Sequence, residues 1–123
     1  MKLTKVALLS LIFSSPIYAN WSDYTFLGTL NNVVFSYRTY EPAASGDGSQ
    51  VQFRVTNLNS TNSRIRIDDK AFHCFDGSIE NPSRTTDRVK AGETTIFDPI
   101  VGVCKNSGGL NYINVTIDAL VRR

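Results

Sequence analysis

The only histidine of the chain, His73, sits directly beside Cys74, and a second and last cysteine, Cys104, follows in the C-terminal third. A thiolate next to an imidazole would be a nucleophile with its base. Adjacent residues of a strand point to opposite faces, however, so adjacency in sequence argues against that dyad. One histidine and no Cys-x-x-Cys spacing also leave no zinc ligand set. Among carboxylates, Asp68 with Asp69, or Asp76 with Glu80, would have to stand at a defined separation to act as an acid and base pair on a glycoside. Placed in turn-rich, polar surroundings, they read as solvated turn residues. Asp47-Gly48 and Asp76-Gly77 could offer oxygens to calcium, but neither carries the repeated acidic spacing of a calcium loop. There is no phosphate-cradling glycine loop followed by lysine and no serine nucleophile elbow. No catalytic residue, metal or cofactor is expected.

The cysteines have a simpler use. Lys2 and Lys5 precede the apolar run Val6 to Phe13, and Ser14-Ser15-Pro16 leads to Ile17-Tyr18-Ala19, the pattern of a secretory signal peptide cleaved after Ala19. The run is too short to span a bilayer, and no second apolar segment follows, so the mature chain is expected to lack a transmembrane segment. An exported chain, periplasmic or extracellular, meets oxidising conditions, where two cysteines allow one intramolecular pairing, Cys74 with Cys104. Closing a loop of about 30 residues contributes roughly 3 to 4 kcal/mol in the chain-entropy description. Removing the leader removes Lys2 and Lys5, which carry the net charge of +2. The remaining domain, 20–123, is neutral overall and lacks the basic footprint of a nucleic-acid binder.

Period-two alternation dominates that domain, and helical spacing of apolar residues does not recur. Strands are expected at Tyr24 to Leu30 and Val33 to Tyr40, turned by Asn31-Asn32. Glu41 to Ser49 reads as a loop, mobile at its tip. Gln50 to Asn57 alternates with Val51, Phe53 and Val55 inward, and Ser63 to Asp69 with Ile65 and Ile67 inward. Lys70 to Phe75 would begin another strand, and the polar stretch around Pro82, to about Asp87, a surface crossover. At least one strand falls between Arg88 and Cys104. Asn111 to Val121 alternates most cleanly, with Ile113, Val115, Ile117, Ala119 and Val121 on one side. Seven or eight short strands and one disulfide in about 100 residues specify an all-β, two-sheet antiparallel sandwich.

Val51-Gln-Phe-Arg-Val-Thr-Asn57, the returning strand Arg64 to Ile67, and Val89-Lys-Ala-Gly-Glu-Thr-Thr-Ile-Phe97 together resemble the cadence of bacterial exported immunoglobulin-like domains. The resemblance covers about half of the mature chain and implies an immunoglobulin-like sandwich that serves as a binding, adhesive or accessory module. It carries no functional residues across.

Taking Leu58 to Asn62 as a symmetric hairpin sets Arg54 opposite Arg66 and Thr56 opposite Arg64, a guanidinium cluster of Arg54, Arg64 and Arg66. Like charges directly opposite are unfavourable. Nearby acids, solvent or an acidic ligand must offset them, and arginine's planar five-donor fork suits an anion. Trp21, Tyr24 and Tyr40, among the aromatic residues crowding the first two strands, are candidates for a recognition surface beside their ordinary packing role. The segment Asn20 to Tyr24 is a candidate for self-association by strand exchange.

These readings converge on a non-catalytic module that recognises a protein or cell-envelope component. A small exported enzyme inhibitor, acting through Glu41 to Gln50 or Asn81 to Asp87, a structural subunit assembling by strand addition, and a carboxylate hydrolase are its rivals.

Overall fold

The computed structural model describes residues 20–41 and 47–121. The expected signal peptide, the tip of the loop after Glu41, and the last two arginines lie outside the described residues. Within them the chain forms ten β-strands: β1 (Asn20–Trp21), β2 (Thr25–Leu30), β3 (Val33–Glu41), β4 (Ser49–Asn57), β5 (Ser63–Cys74), β6 (Ile79–Glu80), β7 (Thr85–Val89), β8 (Thr94–Ile96), β9 (Ile100–Val103) and β10 (Leu110–Val121). They make two antiparallel sheets. In the first, β3 and β4 are central, with β1 and β2 sharing one edge and β8 and β9 the other. In the second, β5 is central, with β10 on one side and β6 and β7 sharing the other. The protein is thus an all-β, two-sheet antiparallel sandwich.

The β2–β3 hairpin turns at Asn31-Asn32, both with positive φ (50° and 60°), the mirror-image turn whose twist matches the flanking strands. Asparagine tolerates this region better than most residues, which makes the pair a legible signal.

Two expectations about β4 and β5 require correction. These strands do not pair with each other: β4 lies between β3 and β8/β9, and β5 between β10 and β6/β7, in the opposite sheet. The link 58–62 therefore crosses between sheets. Buried Asn57 holds that crossing. Its Nδ2 donates to the carbonyls of Thr61 and Val89, both at 2.9 Å, and its Oδ1 accepts from the Asn59 backbone N–H at 3.0 Å. A side chain that bonds both ends of a link supplies the partners that a hairpin ladder would otherwise provide. Neither the Arg54–Arg66 nor the Thr56–Arg64 pairing forms.

The second correction is that Lys70 to Cys74 continues β5 rather than starting a new strand. Asp69 has φ of 46°, and the register against β10 shifts between the Asp68–Thr116 and Ala71–Asn114 pairs. This bulge adds one residue and exchanges the two faces. Ile65 and Ile67 point inward before it, and Lys70, Phe72 and Cys74 after it. The polar stretch after Pro82 is likewise a strand from Thr85 onward.

Val33, Phe35, Val51, Phe53 and Val55 from the first sheet meet Ile65, Ile67, Phe72, Val89 and Ala119 from the second. Ile113, Val115 and Ile117 pack partly buried against them, as the alternation of β10 predicts. Cys74, at the end of β5, is bonded to Cys104, just beyond β9, so the disulfide staples one sheet to the other. The bulge also places Lys70 in the interior, 1% exposed, with Nζ donating to the Ser83 carbonyl and lying 6.0 Å from the Phe53 ring centre.

Candidate functional site

Along the outer face of the second sheet, β10, β5 and β7 set residues in rows. Leu120, Arg64 and Arg88 form one row, and Asp118, Arg66 and Thr86 the next. The rows border a cavity of about 540 Å³, whose lining also includes Arg84 and Asp87. Arg64 and Arg66 are therefore together, as expected, but their arginine neighbours are Arg88 and Arg84 rather than Arg54. No periodicity within one strand could name these neighbours, because Arg88 lies on a third strand and Arg84 just before it, and their placement depends on the sheet's topology.

The charges of this face divide. Arg66 reaches Asp68 (Nε to Oδ2, 3.3 Å) and Asp118 (Nη2 to Oδ2, 3.4 Å), and Arg84 Nε lies 2.5 Å from the other Asp68 oxygen. Asp118 also accepts the Ala119 N–H through Oδ1 at 2.9 Å, and Asp87 accepts the Arg88 backbone N–H at 2.7 Å. Among the described residues, Arg64 and Arg88 have no carboxylate within 4.0 Å, although they are directly opposite on adjacent strands. Leu120, 67% exposed, completes their row.

Arg54 lies on the outer face of the first sheet, in a different chemical setting. Its guanidinium carbon stands 3.8 Å from the Tyr24 ring centre, and its Nε donates to Ser36 Oγ at 3.2 Å. Arg38 sits over Tyr24 (4.9 Å) and over Trp21 (4.4 Å), while Trp21 contacts Tyr40 with ring centres 5.1 Å apart. Arg38 Nε donates to Gln52 Oε1 at 2.8 Å, and Gln52 Nε2 to the Phe97 carbonyl at 2.9 Å. Trp21, Tyr24 and Tyr40 are thus brought together, but ring faces on this ladder are occupied by guanidinium groups of the same chain. The ladder fastens to the sheet the segment from Asn20, whose strand β1 makes, among the described residues, the pairs Asn20–Glu41 and Trp21–Tyr40. Arg38, not singled out from the sequence, does this fastening with Arg54, and Gln52, read only as an outward polar residue, holds Arg38 in place. Their alternation on the polar side of β3 and β4 was the available signal.

The remaining candidates hold structural bonds. His73 stacks on Tyr112 with ring centres 4.1 Å apart, while Cys74 faces inward in the disulfide. Glu80 lies with both cysteines in a group whose ligating atoms are within 4.8 Å of one another. Both sulfurs are covalently joined, and Glu80 Oε1 accepts the Cys104 N–H at 3.0 Å. Asp76 Oδ1 accepts from the Ser78 hydroxyl (2.6 Å) and N–H (2.9 Å), and these bonds lower its pKa. Lys70 has a lowered pKa because burial disfavours its charged form, against a smaller raising effect from Asp68. Of the two segments offered as inhibitory loops, Asn81 to Asp87 is tied down at its start: Asn81 Nδ2 donates to the Lys70 carbonyl at 3.1 Å, and the Ser83 carbonyl accepts from Lys70 Nζ.

No family model, no curated protein and no solved structure matches this chain.

Proposed function

We propose that the mature chain is an exported, non-catalytic binding module, periplasmic or extracellular, which recognises an acidic group on a protein or cell-envelope partner. The observation that carries this reading is the cross-strand pair Arg64 and Arg88, two arginines at facing positions that line the same open cavity without a described carboxylate partner. Juxtaposed like charges weaken a sheet, and a ligand that supplies the missing negative charge relieves the repulsion. The resemblance to exported immunoglobulin-like domains points to the same class of activity.

The test is capture from a cell-envelope extract by three forms of the mature protein: unaltered, Arg64→Gln/Arg88→Gln, and Arg54→Gln. A partner retained by the first and third and lost by the second supports the reading. Identical capture by all three contradicts it.

A second reading, assembly by strand addition, draws on β10, a twelve-residue strand at one side of its sheet. Its edge is closed at Ala119, whose N–H bonds to Asp118 and whose carbonyl accepts from Asn31 Nδ2 at 2.7 Å. Such side-chain caps protect an edge from pairing. The face is accordingly favoured over the edge.

A further inference from the structure

At the end of the second sheet nearest the 58–62 link lies a second, smaller space of about 270 Å³, lined by Asn62, Ser63, Arg64, Arg88, Leu120 and Val121 and sharing Arg64, Arg88 and Leu120 with the larger cavity. This space differs from the larger cavity in one decisive respect. The larger cavity includes Asp87 and Asp118 in its lining, whereas among the described residues no acidic residue lines the smaller space. Asn62 lines this space beside the two arginines; its Oδ1 already accepts the Ala91 N–H at 3.1 Å, so its amide NH₂ remains as donor. Exposed Leu120 and part-buried Val121 give the same space an apolar wall.

From this lining we infer that Arg64 and Arg88 bind one phosphate-type oxyanion, a phosphomonoester whose organic arm lies on Leu120 and Val121. This inference rests on the anion-binding reading above and narrows its ligand. A carboxylate brings one charge and a planar pair of oxygens, which one guanidinium fork satisfies. A phosphomonoester brings about −1.5 to −2 charges at neutral pH and three acceptor oxygens, enough for two forks and an amide donor. The charge of the two arginines matches the second ligand. Asp118 and Asp68 keep Arg66 and Arg84 engaged, so the anion is drawn to the acid-free end rather than spread along the face.

The test is a side-chain NMR titration of the folded mature protein at fixed ionic strength with hexyl phosphate, inorganic phosphate and acetate. Saturable shifts of the Arg64 and Arg88 Nε–H and Asn62 NH₂ signals are expected, with affinity falling in the order hexyl phosphate, inorganic phosphate, acetate. Either Arg→Gln change should weaken hexyl phosphate about tenfold or more, Arg54→Gln should leave it unchanged, and affinity should fall as pH drops through about 6, where the dianion gains a proton. An Arg64→Lys/Arg88→Lys variant keeps both charges and removes the forks, so it tests the geometry even if the neutral variant folds poorly. It should also bind weakly. Vesicles containing phosphatidic acid, compared with phosphatidylcholine alone, distinguish a lipid headgroup from a soluble phosphate ester as the source. Acetate binding as tightly as phosphate, or unaltered binding by both double variants, overturns the inference. If phosphate fails while envelope capture still depends on Arg64 and Arg88, the ligand class is wrong and the binding-module reading stands.

Discussion

Arg38 and Arg54 on one outer face, and Arg64 and Arg88 on the other, place four guanidinium groups in two contrasting environments. On the first sheet, aromatic rings lie against both guanidinium groups, and side-chain acceptors take their Nε–H donors. On the second, the carboxylates of the face serve Arg66 and Arg84, and the Arg64–Arg88 pair is left without a described counter-charge. An arginine surrounded by its own chain's acceptors and rings is a structural fastener. One set opposite another arginine beside an open cavity, with no described counter-charge, is the position proposed for ligand binding. The residue type alone does not distinguish these roles; the row it occupies does.

The disulfide fixes both faces relative to one another, and its removal gives the largest expected effect on either. Replacing Cys74 and Cys104 together by alanine should lower unfolding free energy by roughly 3 to 4 kcal/mol, read from the denaturant midpoint. A loss below about 1 kcal/mol would mean that the sheets hold their alignment through the core alone. Next in size is Tyr24→Ala, which removes the ring shared by Arg38 and Arg54 and should cost about 1 to 2 kcal/mol without altering affinity for the acidic ligand. Reduced affinity in that variant would break the division between fastening face and binding face.

Lys70 gives a smaller effect that belongs to neither face. Its pKa is lowered in the folded protein, so between that folded value and the ordinary 10.5 the unfolded chain binds more protons. Stability should therefore rise with pH through this window, and the cost of the buried charge should be fully present below it. Lys70→Met should flatten that rise when midpoints are compared across alkaline pH. An unchanged slope would assign the pH dependence to other groups. The smallest stability effect is expected for Arg64→Gln/Arg88→Gln, within about 0.5 kcal/mol of the unaltered protein, because repulsion lost offsets any packing lost. A cost of about 2 kcal/mol would show that these arginines are fasteners too.

Much of this architecture was legible in the residues. The alternation of Ile113, Val115, Ile117 and Ala119, the paired asparagines at 31 and 32, and the lone cysteine pair each state a local requirement that the fold meets. Sheet membership was less legible. Val51 to Asn57 and Ser63 to Ile67 look like hairpin partners because both alternate and a short link separates them. They lie in opposite sheets, and the crossing between them is held by the side-chain bonds of buried Asn57, which no alternation pattern announces. That misassignment put Arg54 in the predicted cluster, and the crossing places it in the opposite sheet. Arg88 was invisible as Arg64's neighbour for the same reason, since β7 joins β5 only after the chain has crossed the intervening loops. The inversion of β5 depends on one left-handed residue, Asp69, for which the alternation before and after it shows a change of phase but not the continuity of the strand.

The contrast between the two arginine faces is tested most directly by thermal unfolding with and without hexyl phosphate for the unaltered mature protein, Arg38→Gln/Arg54→Gln and Arg64→Gln/Arg88→Gln. A ligand at free concentration L that binds only the folded state stabilises it by RT ln(1 + L/Kd) and so raises the midpoint as L exceeds Kd. The unaltered protein and the Arg38/Arg54 variant should show the same rise, and the Arg64/Arg88 variant none. An equal rise in all three, or one abolished only by the Arg38/Arg54 changes, would contradict the assignment of the second sheet's outer face as the binding site.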